Sequence, residues 1–332
     1  MWIAVLDLLV LFNVLQLILA RGEVIDIFNQ DGKGDILNLR TPSKTKEKDG
    51  RMYSALHQHS PRKWQESGGI YAIPYFISGK YTHGELATIF KAMDRIHKNT
   101  CIRFVPWTYQ IDFIDIQNIR DQGCYTNVGR VGGRSILMLE SNSRSTCIEK
   151  GVVIHELMHV IGLWHEHMRY DRDYYITVIW ENVRPEYWSQ FAKVSPEEST
   201  TYGIPYDYQS VMHYGKRSFA YRGTISMMTH DPAYQNVIGQ RRDGAPSDFL
   251  KICAMYGCAT CMAGGGGGDH SGNFAGYQGY DEYGGHGGYG GWPYGGYGGS
   301  GGWSDGGYGG WLESLLGGYG SWWPFSNFFG LF

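Results

Sequence analysis

The chain has 332 residues, with 29 basic and 32 acidic side chains and a formal net charge of −3, which leaves room for one large domain or two smaller ones. That balance, with no basic stripe interleaved with aromatics, excludes an obvious nucleic-acid binder. More than half of the 48 glycines follow Cys261, and the part before them reads as an ordinary globular sequence long enough to bury a substantial core.

The first element is the apolar run in MWIAVLDLLVLFNVLQLILARG. It spans Leu8 to Ala20, is interrupted by Asn13 and Gln16, and falls short of the about 20 residues that cross a bilayer comfortably. Ala20 and Gly22 put small residues where a signal peptidase reads. Residues 1–22 are therefore read as a cleaved signal peptide rather than a signal anchor, although Asp7 stands where a basic residue is usual. The expected location is secreted and extracellular, with no stable membrane span, and disulfides are permitted there. Residues 23–51, with the polar run TPSKTKEKDGR, have too few apolar side chains for a core. They read as a pro-segment or, equally well on composition, as a linker.

From Trp64 the pattern changes. GGIYAIPYFIS is a strand candidate, being aromatic and β-branched. A helix follows, because Leu86, Ile89, Phe90 and Met93 recur at helical spacing, and Thr82 with Glu85 offers a capping box. CIRFVPW, IDFIDIQNI and SILMLE read as further strands, with a glycine-bearing turn in CYTNVGRVGGR. A second helix is expected in TCIEKGVVIHELMHVIG, capped by Thr146 and Glu149 and stopped at Gly162. Beyond it the chain is loop-rich, with a short helix around Pro185 to Val194 and a last helix capped by Ser247. The fold class is thus α+β: a mixed twisted sheet and a site-bearing helix in the first half, then loops ending in a helix. Residues 52–261 form this domain. Residues 262–332, a Gly/Tyr/Trp-rich segment, read as a flexible tail. Its apolar end is either a partner surface, such as a contact to extracellular matrix or cuticle, or an unspecific sticky end.

Four of the 12 histidines crowd into HELMHVIGLWHEHMRYDRD, residues 155–173. His155 and His159 are four apart, so they share a helix face and can present two imidazoles to one zinc ion. On an unbroken helix His165 would face elsewhere; Gly162 lets the chain turn so that it returns as the third ligand. Three neutral imidazoles leave zinc its full charge, which lowers the pKa of a bound water, and Glu156 stands beside His155 to take that water's proton. An HExxHxxGxxH pattern fixes five positions and is far more specific than HExxH alone.

With these residues the chain resembles the metzincin zinc proteases, and within them the astacin family, of a nematode-like type. Glu166, Arg169 and Asp171-Arg172-Asp173 follow the third histidine as in that family, and Ser210-Val211-Met212-His213-Tyr214 matches its Met-turn. IPYFIS, CIRF, GCYTNVGRVGG, YDYQSVMHYG and IGQRR extend the match over about Trp64 to Cys258.

The resemblance implies one zinc ion held by His155, His159 and His165, Glu156 as general base and acid, and Tyr214 as a resting zinc ligand that swings to hydrogen-bond the oxyanion. Met212 would floor the site, and His167 and His213, which match no ligand position, are structural or solvent-facing. It implies a zymogen in which Asp35, in a Gly34-Asp35 pair, replaces the catalytic water; the position usually held by Phe is Gly32 here. Cutting near Arg51 would free the site, and the new amino terminus would approach Glu166. It selects the disulfides Cys101–Cys258 and Cys124–Cys147, leaving Cys253 and Cys261 to pair together or to tether the tail. Arg241, rather than Arg242, would read an acidic residue after the scissile bond of protein or peptide substrates. The expected function is a secreted zinc endopeptidase. The rival class is a matrix-binding structural protein, and retention of all the catalytic positions favours the enzyme.

Overall fold

In the computed structural model, which describes residues 22–26, 34–36, 55–67, 70–194, 199–259 and 261, the apolar runs become one sheet. Its strands are β1 (Glu66–Ser67), β2 (Ile70–Ile77), β3 (Ile102–Pro106), β4 (Phe113–Gln117), β5 (Cys124–Tyr125) and β6 (Arg134–Leu139). The order is β1-β2-β4-β6-β5, with β3 also paired to β2. β2 pairs in parallel with β3 and β4, and β4 with β6, whereas β1 and β5 run antiparallel to their neighbours. Parallel pairing of β2 with β3 needs a crossover, supplied by helix α1 (His83–Asn99). Its Thr82–Glu85 capping box forms in both directions. Ile89, Met93 and Ile96 are buried along one face, each worth about 1.5–3 kcal/mol of transfer free energy.

Helix α2 (Lys150–Ile161) packs against α1 and β6 and is buried almost throughout, which suits its nearly unbroken apolar sequence. The expected cap at Thr146 and Glu149 does not form. Glu149 is the N-cap but its side chain makes no capping hydrogen bond, and the Thr146 hydroxyl accepts the Ile148 N–H at 2.9 Å, a local turn that competes with the helix. Thr146 is committed to a strand as well: Ser145–Thr146 pairs in parallel with Glu23–Val24.

After Leu163 the chain runs through short 3-10 segments, among them Glu166–Met168 and Pro185–Phe191, the latter standing where a short helix was expected. It ends in helix α3 (Pro246–Tyr256). Ser247 does not cap α3. Its hydroxyl donates to Asp207 at 2.5 Å, and the Asp248 carboxylate accepts the N–H of Ala245 at 2.9 Å and of Val211 at 3.0 Å. Pro at the first helical position leaves one donor fewer to satisfy there. Disulfides join Cys101 to Cys258, Cys124 to Cys147 and Cys253 to Cys261.

The expected signal peptide up to residue 21, most of the expected pro-segment with its expected cut site near Arg51, and the expected tail from residue 262 lie outside the described residues. No helix of the described residues is long and apolar enough to cross a membrane.

Candidate metal centre and active site

One turn of α2 separates His155 from His159, and the chain then reverses at Gly162. This residue has φ +130°, and an added Cβ would fall 2.7 Å from Leu56 Cδ1, so both conformation and space require glycine. Its N–H closes on Met158 O at 3.0 Å. The reversal brings His165 Nε2 to 3.1 Å from His159 Nε2, which is itself 3.0 Å from His155 Nε2. His155 Nδ1 lies 2.8 Å from Val211 O and His159 Nδ1 2.7 Å from Leu163 O. Both rings therefore donate outward to a backbone carbonyl and turn an Nε2 lone pair to the common point. All three rings are fully buried. Burial holds His155 below its ordinary pKa and brings His165 down to about 3, so both are neutral donors.

Asp35 reaches the same point. Its Oδ2 is 2.7 Å from His155 Nε2, 2.9 Å from His165 Nε2 and 3.5 Å from His159 Nε2. Gly34–Ile36 is held at the edge of the sheet: Ile36 bridges Thr126 in parallel, and Thr126 N–H donates to Asp35 O at 2.9 Å.

Three imidazole nitrogens and a carboxylate oxygen thus lie within 4.8 Å of one another, the donor set and number that zinc favours. Asp35 Oδ1 and both Glu156 oxygens are buried with no hydrogen-bond partner among the described residues. Buried polar atoms of that kind call for a further bound species, so the residues fit a metal ion. Glu156 is pushed well above the usual carboxylate range, first by burial and then by the charge of Asp35.

Tyr214 completes the wall. Its ring stacks on His167 at 3.9 Å and lies 4.4 Å from His165, and its hydroxyl donates to Gln190 Oε1 at 3.2 Å. Burial, followed by the Asp35 charge, pushes the phenol well up, so it is a hydrogen-bond donor at neutral pH. Met212 is buried, and its carbonyl accepts the Glu166 N–H at 2.9 Å, which ties the Met-turn to the segment after the third histidine.

His167 and His213 are fully buried rather than solvent-facing. His167 Nε2 donates to Gln190 O at 2.9 Å, and His213 Nε2 lies 2.6 Å from the Tyr206 hydroxyl. In the uncut chain Glu166 already has its cation: Lys251 Nζ is 2.5 Å from Oε2 and Arg169 Nη1 is 3.1 Å from Oε1. Burial raises this carboxyl, but the charges of Lys251 and then Arg169 outweigh it and hold it below its ordinary value. A lysine of α3 is thus already a partner of Glu166 before any amino terminus is freed. Arg241 pairs through Nη2 with the Asp26 carboxylate and through Nη1 with Ile25 O at 3.3 Å. Arg242 is exposed.

Sequence reasoning missed Gln190 and Lys251. Lys251 lies 85 residues from Glu166 in the chain, beyond any local pattern, and Gln190 sits in a loop-rich stretch without periodicity.

The model of the Astacin peptidase family matches residues 57–257. The chain is 47% identical over 253 residues to zinc metalloproteinase nas-5 of Caenorhabditis elegans, covering 73% of this chain and 70% of that protein. It is 43% identical over 187 residues to zinc metalloproteinase nas-8 of Steinernema carpocapsae, covering 56% of this chain but only 43% of that longer protein. Among solved structures, the hatching-enzyme zinc protease High choriolytic enzyme 1 of the medaka Oryzias latipes superposes with a TM-score of 0.55 at 38% identity. That match covers 60% of this chain and 96% of the other. The α+β fold, the three-histidine centre and these relatives together define a zinc metalloendopeptidase. Within that class the chain belongs to the astacin family, and its cofactor is zinc.

Proposed function

We propose that the chain is a secreted endopeptidase made as a zymogen, with residues 1–22 as signal, 23–51 as pro-segment, 52–261 as catalytic domain and 262–332 as tail. The observation that carries latency is the Asp35 carboxylate seated among three imidazoles. His155, His159 and His165 hold the zinc, with Asp35 as a further ligand until the pro-segment is cut near Arg51 and leaves. Zinc, when bound, supplies Lewis-acid chemistry and lowers the pKa of water toward neutrality.

Glu156 takes the proton of the attacking water and passes it to the leaving amine. Its position in an unpartnered, buried setting raises its basicity, which suits a group that must both accept and return a proton. The Tyr214 hydroxyl donates to the oxyanion as it develops, an interaction made only in the transition state. Met212 supports the site from below. Arg241 reads an acidic side chain following the scissile bond; its pairing with Asp26 of the pro-segment supports an affinity for carboxylates at that place. Contact of the tail with an extracellular matrix belongs to the same proposal and rests on its composition.

The test is cleavage of a denatured protein by the activated chain with and without a chelator, beside Glu156→Gln. Chelation is expected to abolish cleavage, and the substitution to lower it about 10²-fold or more. Equal rates for wild type and Glu156→Gln would remove the proposed role of Glu156.

A further inference from the structure

Gln190 lies on the 3-10 segment Pro185–Phe191 and matches none of the motifs by which the site was recognised in the sequence. Three observations converge on it. Its side-chain oxygen accepts the Tyr214 hydroxyl at 3.2 Å. Its backbone oxygen accepts His167 Nε2 at 2.9 Å, and His167 is the ring stacked on Tyr214 at 3.9 Å. Its amide group also lies flat against Gly34: a Cβ added there would fall 2.3 Å from Oε1, 2.7 Å from Cδ and 2.8 Å from Nε2. The next residue, Phe191, is buried and packs edge-on against Tyr214 at 6.0 Å, so the segment carrying Gln190 is anchored and the amide has a defined origin.

We propose that Gln190 is a positioning residue for Tyr214 and the contact through which the pro-segment reaches that tyrosine. The inference rests on the catalytic reading of Tyr214. In the latent chain the Gln190 amide is pinned between the Gly34 backbone and the phenol, so the hydroxyl is directed by the amide as well as by Asp35. When residues 34–36 leave, the Gly34 face of the amide is vacated while its bond to Tyr214 and the backbone bond to His167 need not break. The acceptor that remains holds the hydroxyl beside the site at rest, and its single proton passes from Gln190 Oε1 to the oxyanion as that charge develops. A side chain longer than glycine at position 34 would push the amide off the phenol, which gives the glycine before Asp35 a physical reason.

The test is steady-state peptide cleavage by the full chain activated after Arg51, as wild type, Tyr214→Phe, Gln190→Leu, Gln190→Glu and the double variant Gln190→Leu/Tyr214→Phe. Tyr214→Phe and Gln190→Leu are each expected to lower kcat about tenfold with KM little changed, the pattern of an interaction made only in the transition state. Gln190→Glu, which keeps an acceptor oxygen, is expected to stay within about threefold of wild type, and the double variant to be no slower than Tyr214→Phe alone. If Tyr214→Phe is slow while Gln190→Leu matches wild type, or the two losses multiply, the positioning role is overturned. A Tyr214→Phe variant as fast as wild type would instead overturn the catalytic reading of the tyrosine. A second measurement does not use catalysis: binding of a synthetic peptide of residues 22–40 to the activated protein. Gly34→Ala in the peptide is expected to weaken binding about tenfold to wild type and not to Gln190→Ala, whose smaller side chain makes room for the methyl group. Equal weakening on both proteins would overturn the contact with the pro-segment.

Discussion

At the scale of single residues, the pair Glu166–Lys251 shows how the segment after the third histidine is fixed. Both side chains are nearly inaccessible, and Glu166 also takes Arg169 and the Asp207 N–H at 3.1 Å. The histidine ligands were legible because their chemistry is local: i and i+4 on a helix face, then a glycine that turns the chain. The partner of Glu166 was not, because a charge pair across 85 residues leaves no trace in spacing. Removing one member of a buried pair leaves the other uncompensated, so Lys251→Met is expected to destabilise the uncut chain by about 3 kcal/mol. Denaturant unfolding measures it; a loss below about 1 kcal/mol would mean that Arg169 alone satisfies Glu166.

At the scale of elements, what the sequence made visible depended on whether local rules went unopposed. The Thr82–Glu85 box caps α1 because Thr82 is exposed and belongs to no strand. The same spacing at Thr146 and Glu149 fails because Thr146 is occupied by the Ile148 N–H and a neighbouring strand. Ser247 fails as a cap because Asp248 takes the role and ties α3 to the Met-turn through Val211. Gly162 is the junction between α2 and the loops, and Gly162→Ala places a side chain at φ +130° and 2.7 Å from Leu56 Cδ1. Strain of that kind costs about 1–3 kcal/mol, and the displaced loop carries His165. A fall in thermal stability together with a loss of bound zinc, measured by elemental analysis, is expected. A variant that keeps full zinc content would separate the turn from the geometry of the centre.

At the scale of the whole molecule, the α+β order of strands and helices followed from hydrophobic periodicity, and the two disulfides implied by the family resemblance are both present. The third joins Cys253 to Cys261, the two cysteines for which the resemblance left pairing or tethering of the tail open. The two borders of the described domain are held differently. At one end, residues 22–26 and 34–36 carry two separate anchors: the Glu23–Val24 strand with the Asp26–Arg241 pair, and Asp35 at the three histidines. At the other, Cys261 is fastened to α3, and the glycine-rich segment begins beyond it. Latency through Asp35 is the claim on which the zymogen reading stands. The direct measurement is hydrolysis of a quenched fluorescent peptide by the full, uncut chain carrying Asp35→Ala, with cleavage at Arg51 checked by gel. Loss of charge-assisted contacts worth about 1.5–3 kcal/mol should raise the rate at least about tenfold over the uncut wild type. An uncut Asp35→Ala chain as silent as the wild type would contradict it.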